Sequence, residues 1–371
     1  MNNTPLVIVF SGYNFRAVLA FVRTLERNHV DYAIIARDLS DPIFLTDYAS
    51  KVILVRKDRS LDQKCFVQTM QAVRESYGSR QCLIAPSTEA LNRFILRAQT
   101  YLEGHGFMIP LVPERMYSRI SDKLSFGKLC RQHGILVPGE YSSIEQAEYP
   151  FVAKPRTYFS DDGSIHTPKL IFDEHGKHAF SRDVDASQFY FQEFVTGRSV
   201  YLLYYFGKDG SITKLSQENL VQQPEGKSIL AARTARWHQA PESALFENLF
   251  TDLGFFGLVM VELKIQGSVA YMIEANPRFW GPSQLFVDAN VNLFEAFLYE
   301  HGAMSRVPDE VEYRDASYFW YGGLQSVLRQ GAEPAFYGTT KDEFLSTLDT
   351  WHDVDIYNRK DSIGLYLDEL K

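Results

Sequence analysis

The sequence predicts a mixed chain: an α/β, doubly wound (Rossmann-like) N-terminal domain, followed by an α+β domain built on antiparallel strands. Three observations carry this. The first hundred residues alternate short apolar runs with segments of helical period, the pattern of a parallel sheet with crossover helices. Residues 259–281, VMVELKIQGSVAYMIEANPRFWG, hold two apolar runs separated by Gly-Ser, the pattern of an antiparallel hairpin. The chain has 371 residues, 45% of them hydrophobic and 23% charged, which is enough for two or three domains with large cores.

LVIVF at 6–10 is a wholly apolar run, as in a central parallel strand. Residues 11–14 turn the chain into a helix over 15–28. Residues 31–36 and 52–55 read as strands, 65–78 as a helix ended by Gly78, and 81–85 as a further strand. Ser87-Thr88-Glu89 caps the helix that follows. In such sheets the turns after the strands face a crevice, so Ser87 and Glu89 are candidate substrate contacts beside their plainer capping role. Ser11-Gly12-Tyr13 is not GxGxxG, which argues against a dinucleotide site.

Further on, 121–138 reads as a capped helix ended by Gly134. Residues 149–155 place Lys154 on an apolar strand, where a cation has little reason to sit unless it meets an anion. Residues 189–206 are strongly β-forming. The segment 214–239 is polar and holds Arg233 and Arg236, either a solvated basic stretch or a clamp for a carboxylate. Residues 280–302 read as a turn and helix, and the tail from 312 as packing and dimer contacts.

The net charge of −8 argues against nucleic acid or an anionic membrane as partner. Cys65, Cys82 and Cys130 form neither a CxxC nor an even set, which fits the reducing cytoplasm. No signal peptide, run of 18 apolar residues, repeat or low-complexity tract is evident. A homodimer is the default assembly.

The hairpin carries the chemistry. Alternate strand residues share a face, so Glu274 and Asn276 point the same way. If the turn centres on Ser268, Glu262 lies opposite Glu274. Two facing carboxylates repel, and a divalent cation removes that repulsion; Mg²⁺ is held by a few such oxygens together with substrate phosphates. Arg278, just beyond Pro277, would be a fixed cation at the mouth. The alternative is a half-exposed hairpin with solvated acids.

E-x11-E-x-N-P-R resembles the metal-binding signature of the ATP-grasp superfamily, which includes biotin carboxylase, carbamoyl phosphate synthetase and D-alanine–D-alanine ligase. NPRFWGPSQL resembles its predicted carboxylate–amine ligases. The resemblance implies a Rossmann-like pre-ATP-grasp domain (1–112), an ATP-grasp domain (113–305) with a lid subdomain near 140–192, and an extension (306–371) that completes it. It further implies ATP with Mg²⁺, or Mn²⁺ in its place, held by Glu262, Glu274 and Asn276. Lys123 and Lys154 would contact phosphates, and Arg278 the transferred phosphoryl or acyl group. Ser160 and Gly163 would belong to a lid that is poor in glycine for this family. Gln192, Glu193, Phe194 and Val195 would form the adenine hinge, with Ser199 near the ribose. Arg233 and Arg236 would border the acceptor pocket. The implied reaction joins a small-molecule carboxylate, activated as an acyl phosphate, to an amine, one of the two an amino acid. Activation of bicarbonate, phosphorylation alone, or a nucleotide-binding regulatory role are the alternatives.

Overall fold

The computed structural model describes residues 4–57, 60–156, 167–308 and 312–371. β1 (Leu6–Phe10), β2 (Tyr32–Ala36), β3 (Val52–Val55), β4 (Cys82–Ile84) and β5 (Phe107–Met108) form a parallel sheet in the order β3-β2-β1-β4-β5. β1 is buried along its whole length because both faces are covered. Val7 and Val9 meet α1 (Phe15–Arg27) on one side. Leu6, Ile8 and Phe10 meet α2 (Gln63–Tyr77) and α3 (Glu89–Arg97) on the other.

The strand order reverses between β1 and β4, so the turns that follow them open on one crevice. Asn14 precedes α1 in the left-handed region (φ 49°) and does not cap it. Its Nδ2 donates instead to the carbonyls of Ser87 (2.9 Å) and Phe279 (3.0 Å). This amide therefore ties the N-terminal sheet's turns to the loop at Phe279.

After α4 (Gln99–Gly104), two helices meet where one capped start was expected. α5 (Glu114–Ser121) ends at Ser121, and Asp122 caps α6 (Lys123–Gln132) by accepting from Ser125 N at 2.8 Å. β6 (Glu140–Tyr141), β7 (Phe151–Pro155), β8 (Lys169–Ile171) and β9 (Phe189–Glu193) make an antiparallel sheet in the order β6-β9-β7-β8. Phe151, Ala153, Phe189 and Phe191 pack on α7 (Glu174–Asp183) through Phe180. By alternation, Lys154, Tyr190 and Gln192 face the other way.

The large sheet runs β14-β13-β10-β11-β12-β15. Its strands are β10 (Arg198–Phe206), β11 (Ile212–Gln222), β12 (Ile229–Ala235), β13 (Gly257–Gln266), β14 (Val269–Asn276) and β15 (Ser317–Phe319), with β16 (Ala335–Phe336) beside the end of β11. One face packs on α5, α6 and α8 (Pro241–Asp252). The other packs on α1, α9 (Gln284–Asp288) and α10 (Leu293–Glu300).

Two readings of the sequence are refined here. Residues 189–206 are not one strand, because the chain leaves the smaller sheet at Glu193 and enters the larger at Arg198. Gly197 makes the crossing possible: its φ is +123°, and a Cβ there would lie 2.1 Å from the Ile265 carbonyl oxygen. Of the two readings of 214–239, the segment supplies β11 and β12, whose inner residues are buried, while Arg233 and Arg236 themselves are exposed.

The tail is tied to the N-terminal domain through Asp361. Its carboxylate accepts from Arg23 Nε (2.8 Å) and Nη2 (2.7 Å) and from the Tyr48 hydroxyl (2.7 Å). Burial alone would raise its pKa, but Arg23 and Tyr48 hold it down at about 2. Asp361 therefore stabilises the fold above its unfolded pKa near 4, and that contribution is lost as pH falls from about 4 towards 2. Asp361→Asn is expected to lower the unfolding free energy by about 1–2 kcal/mol near neutral pH, allowing for partial screening. Chemical denaturation from pH 7 to pH 3 should show the gap closing on the acid side.

Candidate active site

Glu262 and Glu274 are Cα partners across β13 and β14. The turn itself is Gly267-Ser268, with Gln266 opposite Val269 and Leu263 opposite Met272. That register alone would set Glu262 against Ile273. A bulge between Glu262 and Leu263 adds one residue to β14 and brings the two acids opposite each other.

A ladder of side chains fixes the site. Asn276 Nδ2 donates to Glu274 Oε1 at 2.7 Å, and Asn276 Oδ1 accepts from Arg278 Nη2 at 3.1 Å. Arg278 Nη1 donates to the Phe279 carbonyl at 2.8 Å, and its Nε lies 4.0 Å from Glu89. Glu89 in turn accepts from Tyr117 and Arg93, each at 2.7 Å. At the other end Lys123, on the first turn of α6, pairs directly with Glu274.

The two acids are electrically unequal. Burial and the charge of Glu274 raise the pKa of Glu262. Burial would raise Glu274 too, but the charge and hydrogen bond of Lys123, with Asn276, hold it below the usual carboxylate range. Lys154 is 6% exposed on β7. Burial first, and then the charge of Lys123, push its ammonium down to about 8. Two lysines and two acids are thus held close together in a desolvated place, an arrangement typical of functional sites.

The match to a bound group can be tested on this chemistry. Two carboxylates and an amide oxygen are hard oxygen donors, as Mg²⁺ requires, and phosphates complete its shell. Among the described residues no three His, Cys, Asp or Glu side chains gather into a self-sufficient metal cage. Buried polar atoms without a hydrogen-bond partner occur on both sheets: Tyr190 OH and Gln192 Oε1 share the Lys154 face of the smaller one, and Gln217 Oε1 and Lys264 Nζ the Glu262 face of the larger, the lysine lying over the Tyr337 ring at 3.7 Å. Buried orphans of this kind call for a polar ligand.

Residues 120–282 match the ATP-grasp domain family. The chain contains an ATP-grasp domain. No curated protein matches the chain in sequence. Solved structures share the fold at low identity. N5-carboxyaminoimidazole synthetase from Staphylococcus aureus has a TM-score of 0.65 at 14% identity, over 95% of this chain and 99% of that one. The biotin carboxylase domain of 2-oxoglutarate carboxylase from Hydrogenobacter thermophilus, solved with MgADP, ADP and bicarbonate, has a TM-score of 0.62 at 10% identity, over 85% and 74%. N5-carboxyaminoimidazole ribonucleotide synthetase from Thermus thermophilus has a TM-score of 0.61 at 14% identity, over 84% and 82%.

The remaining predicted residues fall in different places. Gln192 faces the cleft, while the Glu193 side chain is exposed and its N–H already donates to Gly139 O at 2.9 Å. Phe194 and Val195 form the crossing between the sheets. Ser199 is fully buried on the face that carries Glu262, and its hydroxyl accepts from Asn219 at 3.0 Å. Ser160 and Gly163 lie outside the described residues. Ser87 is buried beside Asn14 and lines the same crevice as Glu89.

Arg233 and Arg236 are not brought to the acids. Arg233 projects from the opposite face of the sheet and donates to Glu218 at 2.8 Å, a carboxylate it shares with Arg198. Arg236 lines a separate cavity with Arg314 and Arg359. From this segment it is Gly226–Ile229 that reaches the cavity of about 320 Å³ holding Glu262, Glu274, Asn276 and Arg278.

Arg16 was missed. It stands on the first turn of α1, donates to Ile229 O (2.9 Å) and Ser228 Oγ (2.9 Å), and stacks on Trp320 at 3.8 Å. It lines the acids' cavity and fixes the 226–229 segment there. A lone Arg in an amphipathic helix carries no sequence signal of such a role. Gln217, Asn219 and Lys264 were missed as well, although their alternation with apolar residues could have marked them once β11 and β13 were recognised as strands.

Proposed function

We propose that the protein is an ATP- and Mg²⁺-dependent, ADP-forming carboxylate–amine ligase that works through an acyl phosphate. The observation that carries the proposal is the pairing of Glu262 with Glu274 at a site flanked by Lys123, Lys154 and Arg278. A substrate carboxylate oxygen attacks the γ-phosphorus of ATP, the bond to the β-phosphate oxygen breaks, and acyl phosphate and ADP form. An amine then adds to the acyl carbon, loses a proton, and displaces inorganic phosphate to leave the amide.

Reactions of this class depend on positioning and charge neutralisation rather than on covalent help from the protein. When bound between Glu262, Glu274 and the Asn276 amide oxygen, Mg²⁺ would supply charge neutralisation for the β- and γ-phosphates. Lys154 would meet phosphate oxygens from the smaller sheet and Lys123 from α6. Lys123 also keeps Glu274 ionised. Arg278, oriented by Asn276 and the Phe279 carbonyl, is aimed at charge on the acyl phosphate and the tetrahedral intermediate. Tyr190, Gln192, Gln217 and Ser199 are cleft-facing groups suited to the nucleoside.

The three cysteines are free and buried, and no helix among the described residues is long and apolar enough to cross a membrane. Both support action in the cytoplasm. ADP release, measured over amino acids and small carboxylates singly and in pairs, tests the proposal. It predicts release that requires a pair. Release with bicarbonate or a single carboxylate at the full rate would instead favour carboxyphosphate formation or simple phosphorylation.

A further inference from the structure

The tail holds a segment that the ligase reading leaves unused, YFWYGG at 318–323. We infer that it is a clamp for the active site: Trp320, seated by Glu369 and by two glycines, fixes Arg16, and Arg16 fixes the 224–229 loop as a wall of the acids' cavity. Trp320 and Glu369 are then positioning residues for the reaction, and that kinetic role rests on the ligase reading.

The loop needs such a hold. Glu225 and Gly226 both lie in the left-handed region, with φ 61° and 71°, and the first of these is costly for a residue with a side chain. Gly226, Lys227, Ser228 and Ile229 line the cavity that holds Glu262, Glu274, Asn276 and Arg278, so the loop's shape is the shape of that wall. Arg16 reaches it from α1, through Ile229 O and Ser228 Oγ, each at 2.9 Å. The tail reaches it too. Gln223 Nε2 donates to the Gly323 carbonyl at 3.3 Å, and the Tyr337 hydroxyl donates to Gln222 Oε1 at 3.2 Å, whose Nε2 donates to the Lys227 carbonyl at 2.9 Å.

Arg16 is itself held from the tail. Its Nη1 also donates to the Tyr318 hydroxyl at 3.0 Å, and its guanidinium lies 3.8 Å from the centre of the Trp320 ring. The ring face attracts the cation and sets its plane. The indole N–H donates to Glu369 Oε1 at 3.0 Å, at the end of the last helix, Ile363–Glu369. The two glycines stand in the first turn of α11 (Tyr321–Arg329), where Ala would favour the helix more. A Cβ on Gly323 would lie 2.3 Å from the Trp320 ring, and one on Gly322 would lie 2.1 Å from the Glu369 carboxyl. Both positions are kept small to admit the clamp. Burial pushes the Glu369 carboxyl up to about 7 against the pull of the Trp320 hydrogen bond, so an apolar side chain would serve mere packing better.

Hydrogen exchange of the full chain without ligands, read by mass spectrometry over residues 223–230, tests the clamp. Glu369→Ala and Trp320→Phe should each raise exchange there by about fivefold, the scale of one lost hydrogen bond. The double variant should exceed the larger single effect by little, because both substitutions cut the same bond. Asp361→Asn cuts the tail's other hold on α1, at Arg23, and should leave this segment unchanged. In ADP release, Glu369→Ala should lower kcat by about tenfold while the KM for ATP stays within about twofold, since the loop borders the reacting groups rather than the nucleoside. Unchanged exchange in both single variants, an equal rise in Asp361→Asn, or an original kcat in Glu369→Ala would overturn the inference. Absence of ADP release from the unaltered chain would instead contradict the ligase reading, and the exchange result would still decide whether the clamp exists.

Discussion

Glu274→Gln is expected to abolish ADP release with every substrate pair, by about a thousandfold or more, because it removes several kcal/mol of charge stabilisation at the transferring phosphoryl. Glutamine keeps the shape and the hydrogen bond to Asn276 but discards the charge. Two consequences follow at once: a proposed metal ligand is lost, and Lys123 loses its counter-ion. The loss should appear in kcat/KM for ATP and should not be restored by excess Mg²⁺. Without nucleotide the variant should unfold at a somewhat lower temperature, because the Glu274 carboxylate is held ionised by Lys123 and its loss leaves that lysine unpaired, so turnover is compared at a temperature where both chains are folded. Near-normal turnover in Glu274→Gln would show that the two acids do not hold the metal.

The second large effect belongs to Lys154, and it has opposite signs in two measurements. Lys154→Met should lower kcat/KM for ATP by roughly 10- to 150-fold, the range for losing one charged hydrogen-bond partner. The same substitution should stabilise the ligand-free, metal-free protein by about 1–3 kcal/mol at pH 7, because a buried cation repelled by Lys123 gives way to an isosteric apolar chain. The sign follows from linkage. The folded pKa, about 8, lies below the unfolded value near 10.4, so the destabilisation is complete below pH 8 and fades as pH rises towards the unfolded value. Denaturation at pH 7 and pH 10 should therefore show the variant's advantage shrinking. A residue that weakens the empty protein is kept for what it binds. If Lys154→Met leaves ATP kinetics untouched, its place on β7 has another reason.

Much of this was legible in the sequence because its signals are local. LVIVF reads as a buried strand, Gly-Ser between two apolar runs as a hairpin, and acids at β positions as facing pairs. The pairing of Glu262 with Glu274 came out right for an incomplete reason. The turn is centred between Gly267 and Ser268, and a bulge supplies the missing residue. A bulge leaves almost no trace in composition, since it depends on how the strand must bend to place its side chains.

Other features depend on partners far along the chain. Arg233 and Arg236 have the right chemistry for a carboxylate, yet strand alternation sends Arg233 to the face opposite Glu262, where Glu218 receives it. One residue of register decides between the two faces. Arg16 acts through contacts more than 200 positions away. The crossing at 194–197 exists because Gly197 can lie against the Ile265 carbonyl, a close approach that no periodicity announces.

The central claim is that two facing acids and an amide on β13 and β14 hold the ion that grips the ATP phosphates. A crystal structure with magnesium and a non-hydrolysable ATP analogue tests it most directly. It should show carboxylate oxygens of Glu262 and Glu274 at about 2.1 Å from Mg²⁺, with the Lys154 ammonium on the phosphates. A nucleotide bound elsewhere, or phosphates out of reach of both acids, would contradict the account.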